Sequence, residues 1–250
     1  MTCGPDLAWL AAPVSAEDLD AELSHRRVAA GENRLPPACA VVVALVVYAL
    51  LPAPVLFTSR LVIPALEILL LVALLATNPR RMTRETRLSR WASTGLATVV
   101  IGTNLVSLGL LVSELSSKSS SGGNLLLAAM QIWVTNVIGF ALLFWELDRG
   151  GPVARRRVRR DQMADADWRF SQDENDDTVH EVSRTSSKKS GWVPIFVDYL
   201  YLSITNSSAF SPTDTMPLTS RAKVLMAVEA SAALVTSLLV VARAVGSLGG

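Results

Sequence analysis

The chain has 250 residues, half of them hydrophobic and only 18% charged, with a formal net charge of +1. A soluble domain of this size keeps roughly a quarter of its residues charged, so the deficit, gathered into apolar runs, points to a membrane protein. The balanced charge gives no reason to expect a nucleic-acid partner. Two cysteines, Cys3 and Cys39, and two histidines, His25 and His180, supply neither a disulfide framework nor a CxxC metal site.

Residues 1–35 form an N-terminal extension with six acidic and three arginine residues and no compact apolar core, unlike a cleaved signal peptide. Within it Ser15-Ala16-Glu17-Asp18 has the pattern of a capping box, opening a short helix that runs to about Arg27. A bilayer core about 30 Å thick needs about 20 apolar residues in a helix. Residues 36–147 hold four such runs: 38–57, broken near its end by Pro52 and Pro54, then 61–77, 91–112 and 125–145. A fifth run, 192–210, is richer in hydroxyls, and a sixth covers 222–245. Gly95, Gly102 and Gly109 recur every seven residues in the third run and predict a close helix contact there.

Charge sets the orientation. "NPRRMTRETRLSR" (78–90) carries five arginines and "RGGPVARRRVRR" (149–160) carries six, whereas "SELSSKSSSGG" (113–123) has one lysine. Positive charge stays on the cytoplasmic side, so both clusters belong there. Six crossings then put the N- and C-termini in the cytoplasm, and the count closes only if 192–210 crosses. Residues 148–191 switch from basic to acidic to Ser/Lys-rich with few apolar residues. They are expected to form a mostly disordered cytoplasmic loop. Arg155, Arg156, Arg157, Arg159 and Arg160 at its start are candidates for binding anionic lipid head groups, as well as plain determinants of topology.

Ionisable groups at membrane depth cost at least about 2.5–3.5 kcal/mol each and call for a functional explanation. Glu67 in the second run and Glu229 in the last lie at similar expected depth. Asp198 falls near the inner end of the fifth run, and Asn104, Gln131 and Asn136 add amides to the third and fourth. "SPTD" (211–214) reads as a turn, because Pro212 cannot continue a helix, and it leaves Asp214 at the surface. Glu67, Asp198, Asp214 and Glu229 are therefore the candidate ion or proton pathway. Interhelical hydrogen bonding is the competing explanation of the buried carboxyls. Glu146 and Arg243 sit near helix ends, where they can snorkel. No nucleophile elbow, HExxH, Walker loop or dinucleotide fingerprint occurs, so no catalytic residue, resident metal or cofactor is expected and the chain does not read as an enzyme.

"DYLYLSITNSSAFSPTDTMPLTSRAKVLM" (198–226) is similar to the pore helix, filter and inner helix of potassium channels. Asp198, Leu200, Tyr201, Ser203, Asp214, Pro217, Leu218 and Thr219 carry the likeness. The filter itself departs: "AFSPTD" stands where glycines would turn carbonyls toward an ion. Over about 36–246 the chain resembles an uncharacterised family of bacterial integral membrane proteins. "IPALEILLLVALLATNPRR" (63–81), "WVTNVIGFALLFWELDRGGP" (133–152) and "VDYLYLSITNSSAFSPTDTMPLTSRAK" (197–223) carry that resemblance. It implies a multi-pass protein of the bacterial inner (plasma) membrane and assigns no activity.

The expectation is an all-α polytopic bundle of about six transmembrane helices with cytoplasmic termini, its last two helices and their Ser-Pro-Thr-Asp turn filling 192–246. Its partner is the lipid bilayer, and a homo-oligomer is compatible with it. Two functions fit: a channel- or transporter-like protein for a cation or proton, or a non-transporting scaffold whose basic loop binds anionic lipid or a protein partner.

Overall fold

The computed structural model describes residues 32–52, 56, 64–65, 68–69, 72, 81–82, 87–116, 122–208 and 214–248. The expected helix at 15–27, Glu67 with most of the run 61–77, and Ser211-Pro212-Thr213 lie outside the described residues. The rest is mostly helical. Helix α1 (Leu35–Ala49) opens on Pro36 and Pro37, whose missing N–H groups have no partner to lose in a first turn. Just before it, Glu32–Asn33 (β1) pairs antiparallel with Arg81–Met82 (β2). Helices α2 (Arg87–Ser116) and α3 (Gly122–Leu147) follow, then α4 (Phe196–Ser208) and α5 (Ser220–Leu248).

Three stretches among the described residues, 90–114, 125–150 and 220–243, are long and apolar enough to cross a membrane. They differ in how much they bury. Inside the molecule, 72% of the α3 stretch is buried against 28% of the α5 stretch. Helix α3 is the axis, packed by α1, α2, α4 and α5, and α5 turns most of its surface outward. Helix α3 lies close against α2 at Gly139, where an added Cβ would lie 2.9 Å from Ile101 Cγ1. The expected contact along Gly95, Gly102 and Gly109 is not seen: a methyl there meets no described atom within 4 Å.

Helix α3 ends in a sharp reversal. Arg149, Gly150 and Gly151 have φ of 51°, 79° and 98°, and a side chain at Gly151 would crowd the Glu146 carbonyl at 3.2 Å. The reversal folds the following segment back over the end of the bundle. Residues 148–191, expected to be mostly disordered, instead form short turns of helix and a strand, Trp168–Arg169 (β3). The reason is that the segment needs no core of its own. Val153, Trp168 and Phe170 join the bundle's core, and Trp168, wholly buried, stacks 4.7 Å from Phe144.

The hydroxyl-rich helix also departs from expectation. At 13 residues α4 is about 20 Å long, short of the roughly 30 Å a crossing requires. Its first turn is tied to the bundle end: the Phe196 N–H donates to Glu32 at 2.9 Å and the Tyr199 hydroxyl to Asp148 at 2.5 Å. The chain then comes back to that same end. Met216–Pro217 (β4) pairs antiparallel with Trp168–Arg169, and the Leu218 N–H donates to the Asp167 carbonyl at 2.8 Å. Helices α4 and α5 therefore start side by side. The described part of that run, 192–208, does not reach from one end of the bundle to the other, unlike the expected crossing.

Candidate functional site

A carboxylate at the centre of the bundle

Polar residues at Tyr199, Ser203, Asn206 and Ser207 recur at helical spacing and share one face of α4, all of them buried. That face meets the inner face of α5, where Ala222, Met226, Glu229, Ala233 and Thr236 follow the same period. Ala222 and Ala233 are small enough to let the two helices approach around Glu229. About nine residues from the start of α5, Glu229 lies roughly 13 Å along the helix and has no exposed surface.

Both carboxyl oxygens are engaged. Ser203 Oγ donates to Oε1, as does Ser207 Oγ at 3.2 Å, and Asn206 Nδ2 donates to Oε2 at 2.6 Å. Ser203 Oγ is also 2.8 Å from the Val137 carbonyl of α3. Among the described residues no lysine or arginine bonds this carboxyl, so its partners are hydroxyls and an amide. A serine hydroxyl both donates and accepts, so Ser203 can turn its proton to Val137 while accepting one from Glu229. The cluster can thus satisfy either protonation state of the carboxyl.

A polar seam continues from the backbone of Glu229. Its carbonyl accepts from Asn136 Nδ2 at 3.3 Å, Asn136 Oδ1 accepts from Asn104 Nδ2 at 3.4 Å, and the Thr135 hydroxyl donates to Asn104 Oδ1. Beyond it a cavity of about 10 Å³, about the room of one water, is lined by Thr103, Asn104, Ser107 and Thr135. Ser107 Oγ and Gln131 Oε1 are buried with no hydrogen-bond partner among the described residues.

Charged groups at the bundle end

The other buried polar cluster caps the end where α4 and α5 begin. Glu32 Oε1 accepts from Trp145 Nε1 at 2.7 Å, and Glu32 Oε2 pairs with Arg155 Nη2 at 3.4 Å. Arg155 also donates to the Trp145 carbonyl at 2.7 Å and lies over the Tyr199 ring at 5.1 Å. Asp148 Oδ1 accepts the Asp167 N–H at 2.7 Å, Arg149 bonds Asp173, and Arg221 and Thr219 bond Asp167. Burial pushes the Arg34 guanidinium below its ordinary value, while the nearby Glu146 acts in the opposite direction. Glu146 itself is buried and accepts from Ser93, so it does not snorkel.

Of the three candidate pathway residues among the described ones, only Glu229 lies in a built site. Asp198 accepts the Ile195 N–H at 2.7 Å and serves the first turn of α4; Asp214 is exposed and accepts from the Tyr201 hydroxyl at 2.8 Å. The candidate lipid-binding arginines divide. Arg155 has no exposed surface, and Arg156 is mostly covered beside Glu32. Arg160 donates to the Ser187 and Trp192 carbonyls, Arg159 pairs with Asp161 at 3.3 Å, and Arg157 is exposed. Arg155 and Arg160 hold the segment together and are not offered to a head group. Ser203 and Ser207 are not among the candidate pathway residues, although their spacing from Tyr199 marks a polar face. Glu32, Asp148 and Asp167 left no such signal, since their partners lie far away in the chain. Comparison with protein-family models, with curated proteins and with solved structures finds no match to this chain.

Proposed function

We propose that this chain is a multi-pass membrane protein of channel- or transporter-like character, with Glu229 as the group that takes up and releases the transported proton or cation. One observation carries the reading: a carboxyl buried in the middle of an apolar helix, answered by hydroxyls and an amide instead of a bonded cation. A group placed there at such cost, with partners that suit it charged or neutral, is built for exchange. Full enclosure favours a proton, which needs no coordination volume. The oxygens of Glu229, Ser203, Ser207 and Val137 are the set a bare cation would use instead.

In the same reading the hairpin formed by α4 and the return to Thr219 dips into the membrane from the cytoplasmic side and leaves by that side. Five crossings then remain of the expected six, and the C-terminus lies opposite the arginine-rich segments. Single cysteines placed at Ser190 and at Asp214 are both labelled from the cytoplasmic side; opposite-sided labelling rules the hairpin out.

The transport test is flux in reconstituted vesicles. Wild-type protein passes protons or a monovalent cation, and Glu229→Gln abolishes the flux while leaving expression and monodispersity intact. Wild-type vesicles no leakier than empty lipid end this reading. The scaffold alternative is weakened because Arg155 and Arg160, two of its five lipid-facing arginines, are spent on internal bonds.

A further inference from the structure

The outer face of α5 carries a second feature, independent of Glu229. Between α2 and α5 runs a groove of about 450 Å³, walled by Leu105 and Leu108 on one side and Val224, Val228, Ser231 and Val235 on the other. It is lined almost wholly by hydrocarbon. Val224 is 61% exposed and Val228 40% exposed, so the groove opens sideways. From Val224 to Val235 it follows α5 for about 16 Å, the scale of an acyl chain within one leaflet.

At the groove's loop end stand two cations. Lys223 is exposed and makes no ion pair or side-chain hydrogen bond among the described residues. Arg221, two residues before it, bonds Asp167 yet keeps 54% of its side chain exposed. Among the described residues no carboxylate lines the groove. This is the end that carries the arginine-rich segment 149–160, the cytoplasmic end by the charge rule, where the leaflet is richest in anionic lipid.

We propose that this groove binds one acidic phospholipid, its acyl chain along Val224–Val235 and its phosphate at Lys223 with Arg221 beside it. Charge complementarity selects this occupant over a second copy of the chain. A two-fold axis along the membrane normal would bring one Lys223 level with the other, with no carboxylate among the described lining residues to separate them. The site rests on the membrane reading but not on transport through Glu229.

The test reconstitutes the full chain in bilayers of equal phosphatidylglycerol and phosphatidylcholine, transfers it to detergent and counts retained lipid by native mass spectrometry. Wild type keeps one phosphatidylglycerol in preference to phosphatidylcholine. Lys223→Ala lowers phosphatidylglycerol retention about fivefold, the weight of one charge near a membrane surface, with phosphatidylcholine unchanged. Lys223→Arg restores it, and Val228→Trp, which fills the groove, removes the bound lipid altogether. Glu229→Gln changes nothing in this assay, which separates the site from the transport reading. Variants are compared only as monodisperse helical protein. Retention equal to wild type in either Lys223→Ala or Val228→Trp overturns the proposal. So does wild type without bound lipid, or a wild-type dimer that Val228→Trp dissociates.

Discussion

Two buried polar clusters lie along the same helices, and they are built on opposite principles. At the bundle end Glu32, Asp148 and Asp167 each meet an arginine or a row of N–H donors, and charge is cancelled within the cluster. Farther along, Glu229 meets only hydroxyls and an amide among the described residues. A compensated cluster fixes geometry: its ions gain by staying as they are, and losing one partner strands the other. An uncompensated carboxyl has no such lock, and its state is free to change. The contrast separates a structural clamp from the proposed exchange site although the carboxyls of both are buried.

The sharpest way to break this contrast is to unbalance the clamp. Asp148→Ala, which removes the charge beside the buried Arg149 and strips Tyr199 and two backbone N–H groups of an acceptor, costs about 3–5 kcal/mol, read as early unfolding in detergent melts. Tyr199→Phe removes one hydrogen bond to that carboxylate and costs about 1.5–3 kcal/mol in the same melt. Glu229→Gln and Ser203→Ala act on the other cluster and cost about 1 kcal/mol or less, in line with interhelical hydrogen bonds in membranes. A Glu229→Gln cost as large as that of Asp148→Ala would erase the distinction. Least of all, Arg157→Ala, exposed and outside both clusters, shifts stability by no more than about 0.5 kcal/mol. If instead it rivals Tyr199→Phe, the clamp extends beyond the residues assigned to it.

Much of the helical framework was legible because apolar runs of membrane length declare themselves locally. The stretches 91–112, 125–145 and 222–245 each correspond to a long helix of the structure. Glu229 was legible too, as a charge standing in a run that should carry none. Its partners were half legible: the spacing of Ser203, Asn206 and Ser207 marks one face of a helix, but nothing in that spacing says which helix the face will meet. The segment 148–191 misled because composition measures whether a stretch can build its own core. Trp168 and Phe170 borrow the core of the bundle, a possibility that composition does not register.

By itself, then, the sequence determined three long apolar helices, the charged segments that flank them, and the presence of a costly carboxyl within one of them. These follow from short-range periodicity and from the local solubility of each segment. Only the tertiary structure decided that α4 turns back, that Arg155 faces inward to Glu32, and that Glu229 is ringed by Ser203, Asn206 and Ser207. Those outcomes depend on pairings across 22 to 123 residues of chain. Such pairings are chosen by the packing of whole helices, and no local pattern encodes them.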